Sequence, residues 1–322
     1  MELNLILNFL LIYENFNKHD LFTILLKKCI AFHSYKGGTG KSTMSSNIAA
    51  LLTRRGLNVL LLDMDVYAPS LQTYFNTSPD KWINDFLFEV ADFDEVVYDL
   101  TNKVEKFSEE SNHNENLKMG KLFVSFSNSS KNEIAKLDGA IRSDSSKVEL
   151  LRKFIHIKEE MASKKNIDYI IIDTSPGIRY WSINSLAIAD MILLSLKMDG
   201  IDIAGTRRMA SEIYSSFMKL GVKSYLLLNR VAGYCLPPNL QDYSYTPETN
   251  YAVVLNEQSE TIEKLKKDLA MDVMSSVPCY CDIQFDSSEF MTVLKHPKHP
   301  FTAKMNELID KIENLEMTGD NN

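Results

Sequence analysis

Between His33 and Thr43 the chain reads HSYKGGTGKST, and few folds accommodate such a run. The apolar segment CIAFHS ends at Ser34, Gly37, Gly38 and Gly40 follow, and a helical pattern opens at Ser42. A strand, a glycine-rich turn and a helix N-terminus in that order bring backbone N–H groups and the helix dipole onto one anion. Gly40 allows close backbone approach, Lys41 supplies a cation for terminal phosphates, and Ser42 supplies a hydroxyl for Mg²⁺. The usual phosphate loop has a glycine where Tyr35 stands, and here a second lysine, Lys36, opens the run KGGTGKS. At average residue frequencies these fixed positions arise by chance, in a chain of this length, on the order of once in 10⁴ sequences.

The rest of the chain supports an α/β reading. Short apolar runs at Cys29–Ser34, Val59–Asp63, Leu122–Phe126, Tyr169–Asp173, Met191–Leu196, Tyr225–Asn229 and Asp272–Val277 have the continuous character of strands covered on both faces. Helical patterns lie between them at Ser42–Arg55, Lys147–Lys164, Thr206–Leu220 and Glu257–Leu269. Repeated alternation implies a mainly parallel, twisted, doubly wound sheet with helices on both faces. Thr101–Gly120 is polar and acid-rich and Pro237–Asn250 is rich in Pro, Asn and Tyr, so both are expected as surface insertions. The expected organisation is an extension over residues 1–28, one domain over 29–316 and a disordered tail over 317–322.

Composition narrows the class. With 322 residues and 45% apolar content the chain can bury a full core. Cys29, Cys235, Cys279 and Cys281 are too few for a disulfide framework and fit a reducing cytoplasm. Cys279-Tyr280-Cys281 is spaced more tightly than a usual zinc pair and has no second pair. A net charge of -8 argues against nonspecific nucleic-acid binding by the whole surface. The apolar stretch Leu3–Tyr13 is too short to span a bilayer, which takes about 20 residues. Glu2 stands where a secretory leader is basic, so the stretch is read as a helical extension, with a misassigned start codon as its rival.

The loop resembles the deviant Walker A motif of the ParA/MinD superfamily of P-loop ATPases, K-G-G-x-x-K-[ST]. The resemblance runs from about Cys29 to Leu315. LLLDMDVYAPSL, Leu60 to Leu71, is similar to the family's first switch, and YIIIDTSPGI, Tyr169 to Ile178, to its second. LLLNR, Leu226 to Arg230, and VPCYC, Val277 to Cys281, stand where the family holds adenine. The resemblance implies ATP and Mg²⁺ as cofactors. Gly37, Gly38, Thr39, Gly40, Lys41, Ser42 and Thr43 would hold the phosphates, with Thr39 and Thr43 alternatively capping the helix. Asn229 would contact the base and Pro278 would lie near it. Ser42 would ligate Mg²⁺, Asp173 would hold it through water, and Asp63 would steady its water shell or compete with Asp65 for the attacking water. Asp65 would orient that water, and Lys36 would reach the phosphates of a facing subunit.

Three functions share this loop. The first is an ATP-dependent homodimerisation switch with slow ATPase activity, acting in chromosome or plasmid partitioning or in positioning a protein cargo, with a protein activator or cargo adaptor. The second is an iron-sulfur carrier or a related assembly ATPase, toward which DVYAPSL leans and against which the missing C-x-x-C near the carboxy terminus counts. The third is a small-molecule amidoligase or reductase. MinD-type proteins carry an amphipathic membrane helix, and Met305, Leu308, Ile309, Ile312 and Leu315 form a comparable stripe. Its other face is acidic, which favours docking on the protein's own core. Arg207, Arg208, Lys219 and Lys223 form a candidate DNA patch or a solvated helix face.

Overall fold

Strand segments such as YIIIDT and VLLLDM are apolar on both pleat faces, so each must be covered twice. The computed structural model describes residues 28–110, 118–140, 144–219, 221–231, 259–280, 282–283 and 291–319. Its strands are β1 (Lys28–His33), β2 (Val59–Met64), β3 (Tyr98–Asp99), β4 (Leu122–Ser125), β5 (Tyr169–Thr174), β6 (Met191–Lys197), β7 (Lys223–Val231) and β8 (Val273–Pro278). They form one sheet in the order β3-β4-β2-β5-β1-β6-β7-β8. All pairs are parallel except β3 with β4.

Alternate residues divide between two cores. Cys29, Ala31, Ile170 and Ile172 face the first, together with Phe154 of helix Asp144–Lys164, Trp181 of helix Tyr180–Ala187 and Phe217. Ile30, Phe32, Tyr169 and Ile171 face the second, against Ile48 of helix Lys41–Arg54 and against helix Pro300–Gly319. Full burial of each Ile or Phe side chain among these contributes roughly 1.5–3 kcal/mol. On helix Pro300–Gly319 the stripe of Met305, Leu308, Ile309 and Ile312 is buried and Leu315 packs beside it, so this face docks on the protein itself. Arg55 holds the same helix from outside through Asp310 at 2.8 Å and Glu313 at 2.9 Å.

The structure departs from the sequence expectations in a few places. Thr101–Glu110, expected as part of a surface insertion, is a helix whose Val104 is buried and whose Phe107 packs on the second core. The last helix continues to Gly319, into the segment expected as a tail. The helix expected from Thr206 begins at Gly200, because the Asp199 carboxylate accepts the Asp202 N–H at 2.9 Å and caps it. Ala210–Tyr214 is a π-helical turn within that run. The 237–250 insertion and the amino-terminal extension, apart from Lys28 in β1, lie outside the described residues. No helix among the described residues is long and apolar enough to cross a membrane.

Candidate functional site

Parallel strands place their carboxyl ends along one edge, and β1 lies where neighbouring crossovers leave in opposite directions, the usual place for a ligand in an open α/β sheet. There the chain turns through Gly38 (φ 73°) and Gly40 (φ 88°) into helix Lys41–Arg54. Gly40 is the helix N-cap and no side chain caps the helix, so neither Thr39 nor Thr43 plays that part. The Thr39 hydroxyl is buried with no hydrogen-bond partner. A Cβ on Gly40 would sit 2.3 Å from Asn229 Nδ2. Gly40→Ala is therefore expected to be destabilised by about 1–3 kcal/mol through the left-handed backbone, with the clash in addition. An unchanged thermal midpoint would contradict this.

The two lysines of the loop lie apart. Lys41 is buried and donates to Ser34 Oγ at 3.0 Å, while Ser34 donates to the Lys36 carbonyl at 2.6 Å. Lys36 turns outward, its side chain 35% exposed and its Nζ 3.9 Å from Asp199 Oδ1. Around it the Tyr35 ring lies over Gly205, and Tyr35, Ile178 and Ile201 are exposed.

Three carboxylates gather at the carboxyl ends of β2 and β5, and Asp173 is the one beside Lys41 and Ser42. Register pairs Asp63 with Asp173 on adjacent strands. Asp63 is fully buried, and its oxygens accept the N–H groups of Asp65 at 3.1 Å and Leu71 at 3.3 Å. Burial above all, then the negative charges of Asp173 and Asp65, push its pKa well above the carboxylate range. Asp173 is also fully buried, and neither of its oxygens meets a hydrogen-bond partner. Burial raises its pKa to about 6 against the Lys41 charge and the nearby Ser42 hydroxyl, which lies outside bonding geometry. Asp65 is half-buried and accepts from Ser175 Oγ at 2.9 Å and Ala68 N at 3.2 Å. An orphaned buried carboxylate beside a loop hydroxyl and a buried ammonium fits a hydrated Mg²⁺ on a polyphosphate.

A pocket beside the loop is lined by Gly40, Thr43, Met44, Asn229, Arg230, Val277, Pro278, Tyr280, Ile283 and Phe301. It brings the two segments expected near the base onto the phosphate loop. The residues of the candidate DNA patch are partly engaged elsewhere: Arg207 pairs with Asp268 at 2.7 Å and Arg208 with Glu212 at 3.0 Å. Cys281 lies outside the described residues, so the Cys279–Cys281 pair has no described geometry. Sequence reasoning missed Ser34, which bonds Lys41 and the Lys36 carbonyl, Ser175, which bonds Asp65, and Ser195, which bonds the Thr39 carbonyl. The signal was a serine that closes an apolar run, as Ser34 does, or interrupts one, as Ser195 does in LLSLK.

Comparison with known proteins agrees with this geometry. A family model described as an AAA domain matches residues 27–220 of the 322. The iron-sulfur cluster carrier protein of Aquifex aeolicus is 46% identical over 56 residues, 17% of this chain and 15% of the carrier. The sporulation initiation inhibitor protein Soj of Bacillus subtilis is 25% identical over 192 residues, 58% of this chain and 64% of Soj. The chain thus spans less than two thirds of either relative. Among solved structures, the septum site-determining protein MinD of Pyrococcus horikoshii, complexed with Mg-ADP, is similar with a TM-score of 0.60 at 16% identity, over 90% of this chain and 98% of that one. With more than half of the chain matched, and with this loop and sheet, the chain belongs to the AAA-domain family of ParA/MinD-like P-loop ATPases.

Proposed function

We propose that the chain is an ATP-driven homodimerisation switch with slow hydrolysis, used to position DNA or a protein cargo. The observation that carries the reading is the separation of the two loop lysines, one buried at the phosphate site and one at the surface among exposed apolar side chains. Two ammonium groups serving one triphosphate from the same side would repel, whereas a surface lysine can serve a facing subunit. Tyr35, Ile178 and Ile201 give that face the apolar character of a contact surface.

In this reading the loop amides and Lys41 bind the phosphates, and Thr39 and Thr43 stand within the same turn. The pocket containing Asn229 and Pro278 takes the base. Ser42 and Asp173 hold Mg²⁺, with Asp63 behind them, and the ion supplies charge neutralisation at the terminal phosphates. Asp65, fixed by Ser175 and the Ala68 N–H, orients water. A weakly basic carboxylate makes turnover slow.

Lys41→Ala is expected to weaken ATP binding by about 10–150-fold, since a charge-assisted hydrogen bond contributes roughly 1.5–3 kcal/mol. Calorimetry with Mg-ATP checks this, and unchanged affinity would sink the nucleotide reading. The local match to an iron-sulfur carrier supports a second reading, an assembly ATPase. Anaerobic reconstitution with iron and sulfide separates the two, because only a carrier would retain a chromophoric cluster.

A further inference from the structure

The Thr39 carbonyl receives two side-chain donors from the sheet. Ser195 Oγ donates to it at 2.9 Å and Asn229 Nδ2 at 2.7 Å. Ser195 is fully buried, Asn229 is nearly so, and they come from the adjacent strands β6 and β7. The amide orientation of Asn229 is fixed from its other end, where Oδ1 accepts the Arg230 N–H at 2.9 Å. Flipping the amide would set donor against donor there and acceptor against the Thr39 carbonyl. Arg230 has a left-handed backbone (φ 54°), and the β7–β8 register shifts between Asn229 and Val231. Such irregularities re-aim a neighbouring side chain.

A trans peptide holds its C=O and N–H on opposite sides. Fixing the Thr39 carbonyl on the strand side therefore turns the Gly40 N–H away from the sheet, toward the concave side where the loop amides meet an anion. We propose that Ser195 and Asn229 are positioning residues that brace the Thr39–Gly40 peptide and so set affinity for the polyphosphate whatever the base. This rests on the reading of the loop as a nucleotide site. It gives Asn229 a role distinct from the base contact implied by the family resemblance, and the two roles differ in measurement.

Calorimetry on the full chain with Mg²⁺ and ATP, GTP or inorganic tripolyphosphate decides between them. Ser195→Ala and Asn229→Ala are each expected to weaken all three ligands by one common factor, about 2–12-fold for one hydrogen bond, with the ATP-to-GTP ratio unchanged. Asn229→Asp keeps the shape but sets an acceptor against the carbonyl, and is expected to weaken all three further. Binding stoichiometry reports the folded fraction, so affinity isolates the loop from any loss of fold. The proposal is overturned if Asn229→Ala loses ATP more than GTP while tripolyphosphate binding is unchanged, or if Ser195→Ala leaves all three affinities at the parental level. A parent that binds none of the three overturns the nucleotide reading, and this inference with it.

Discussion

Asp65→Ala is expected to bind Mg-ATP with parental affinity, to dimerise, and to hydrolyse ATP about 10²–10⁴-fold more slowly, the range for loss of a positioned proton acceptor. Asp65 fits this role better than Asp63 on two observations. Asp63 is fully buried with its oxygens committed to the Asp65 and Leu71 N–H groups, whereas Asp65 is only half-buried. Phosphate release under saturating ATP measures the rate, and light scattering measures the dimer. If Asp63→Ala stopped turnover with the dimer intact and Asp65→Ala did not, the two carboxylates would have to exchange roles.

Lys36→Ala is expected to keep monomeric ATP binding and to lose hydrolysis by about 10³–10⁵-fold, as when a charge supplied in trans is withdrawn from phosphoryl transfer. Binding survives because the Lys36 ammonium lies beside Asp199 at the surface, while Lys41 alone is directed into the loop. The Asp199 contact is half exposed, and exposed pairs of this kind are weak, so it does not prevent Lys36 from swinging to a partner. Single-turnover hydrolysis at parental rate in the variant would assign Lys36 to the solvated turn.

Much of this arrangement was legible in the sequence, for identifiable reasons. β1, β2, β5 and β6 are covered on both faces and so read as unbroken apolar runs, and the glycines of the loop are demanded by backbone geometry at Gly38 and Gly40. The two-residue β3 is too short to show a period, and the helix at Thr101–Glu110 rests on little more than Val104 and Phe107 within a polar segment. The ties around the site were not legible. The bond from Ser195 to Thr39 joins residues 156 positions apart, and that from Ser175 to Asp65 joins residues 110 apart. A serine that closes or interrupts an apolar run carries no mark of its distant acceptor. Tyr67 and Arg179, stacked at 4.1 Å between the segments that follow β2 and β5, were hidden for the same reason.

The dependence of dimerisation on both ATP and Lys36 is the central claim, and static light scattering tests it directly. The parent chain with Mg²⁺ and a nonhydrolysable ATP analogue is expected to double its scattering mass relative to the nucleotide-free protein. Lys36→Ala, at matched concentration and with nucleotide bound, is expected to remain at the monomer mass. A Lys36→Ala protein that dimerised like the parent, or a parent whose mass did not respond to nucleotide, would contradict the claim.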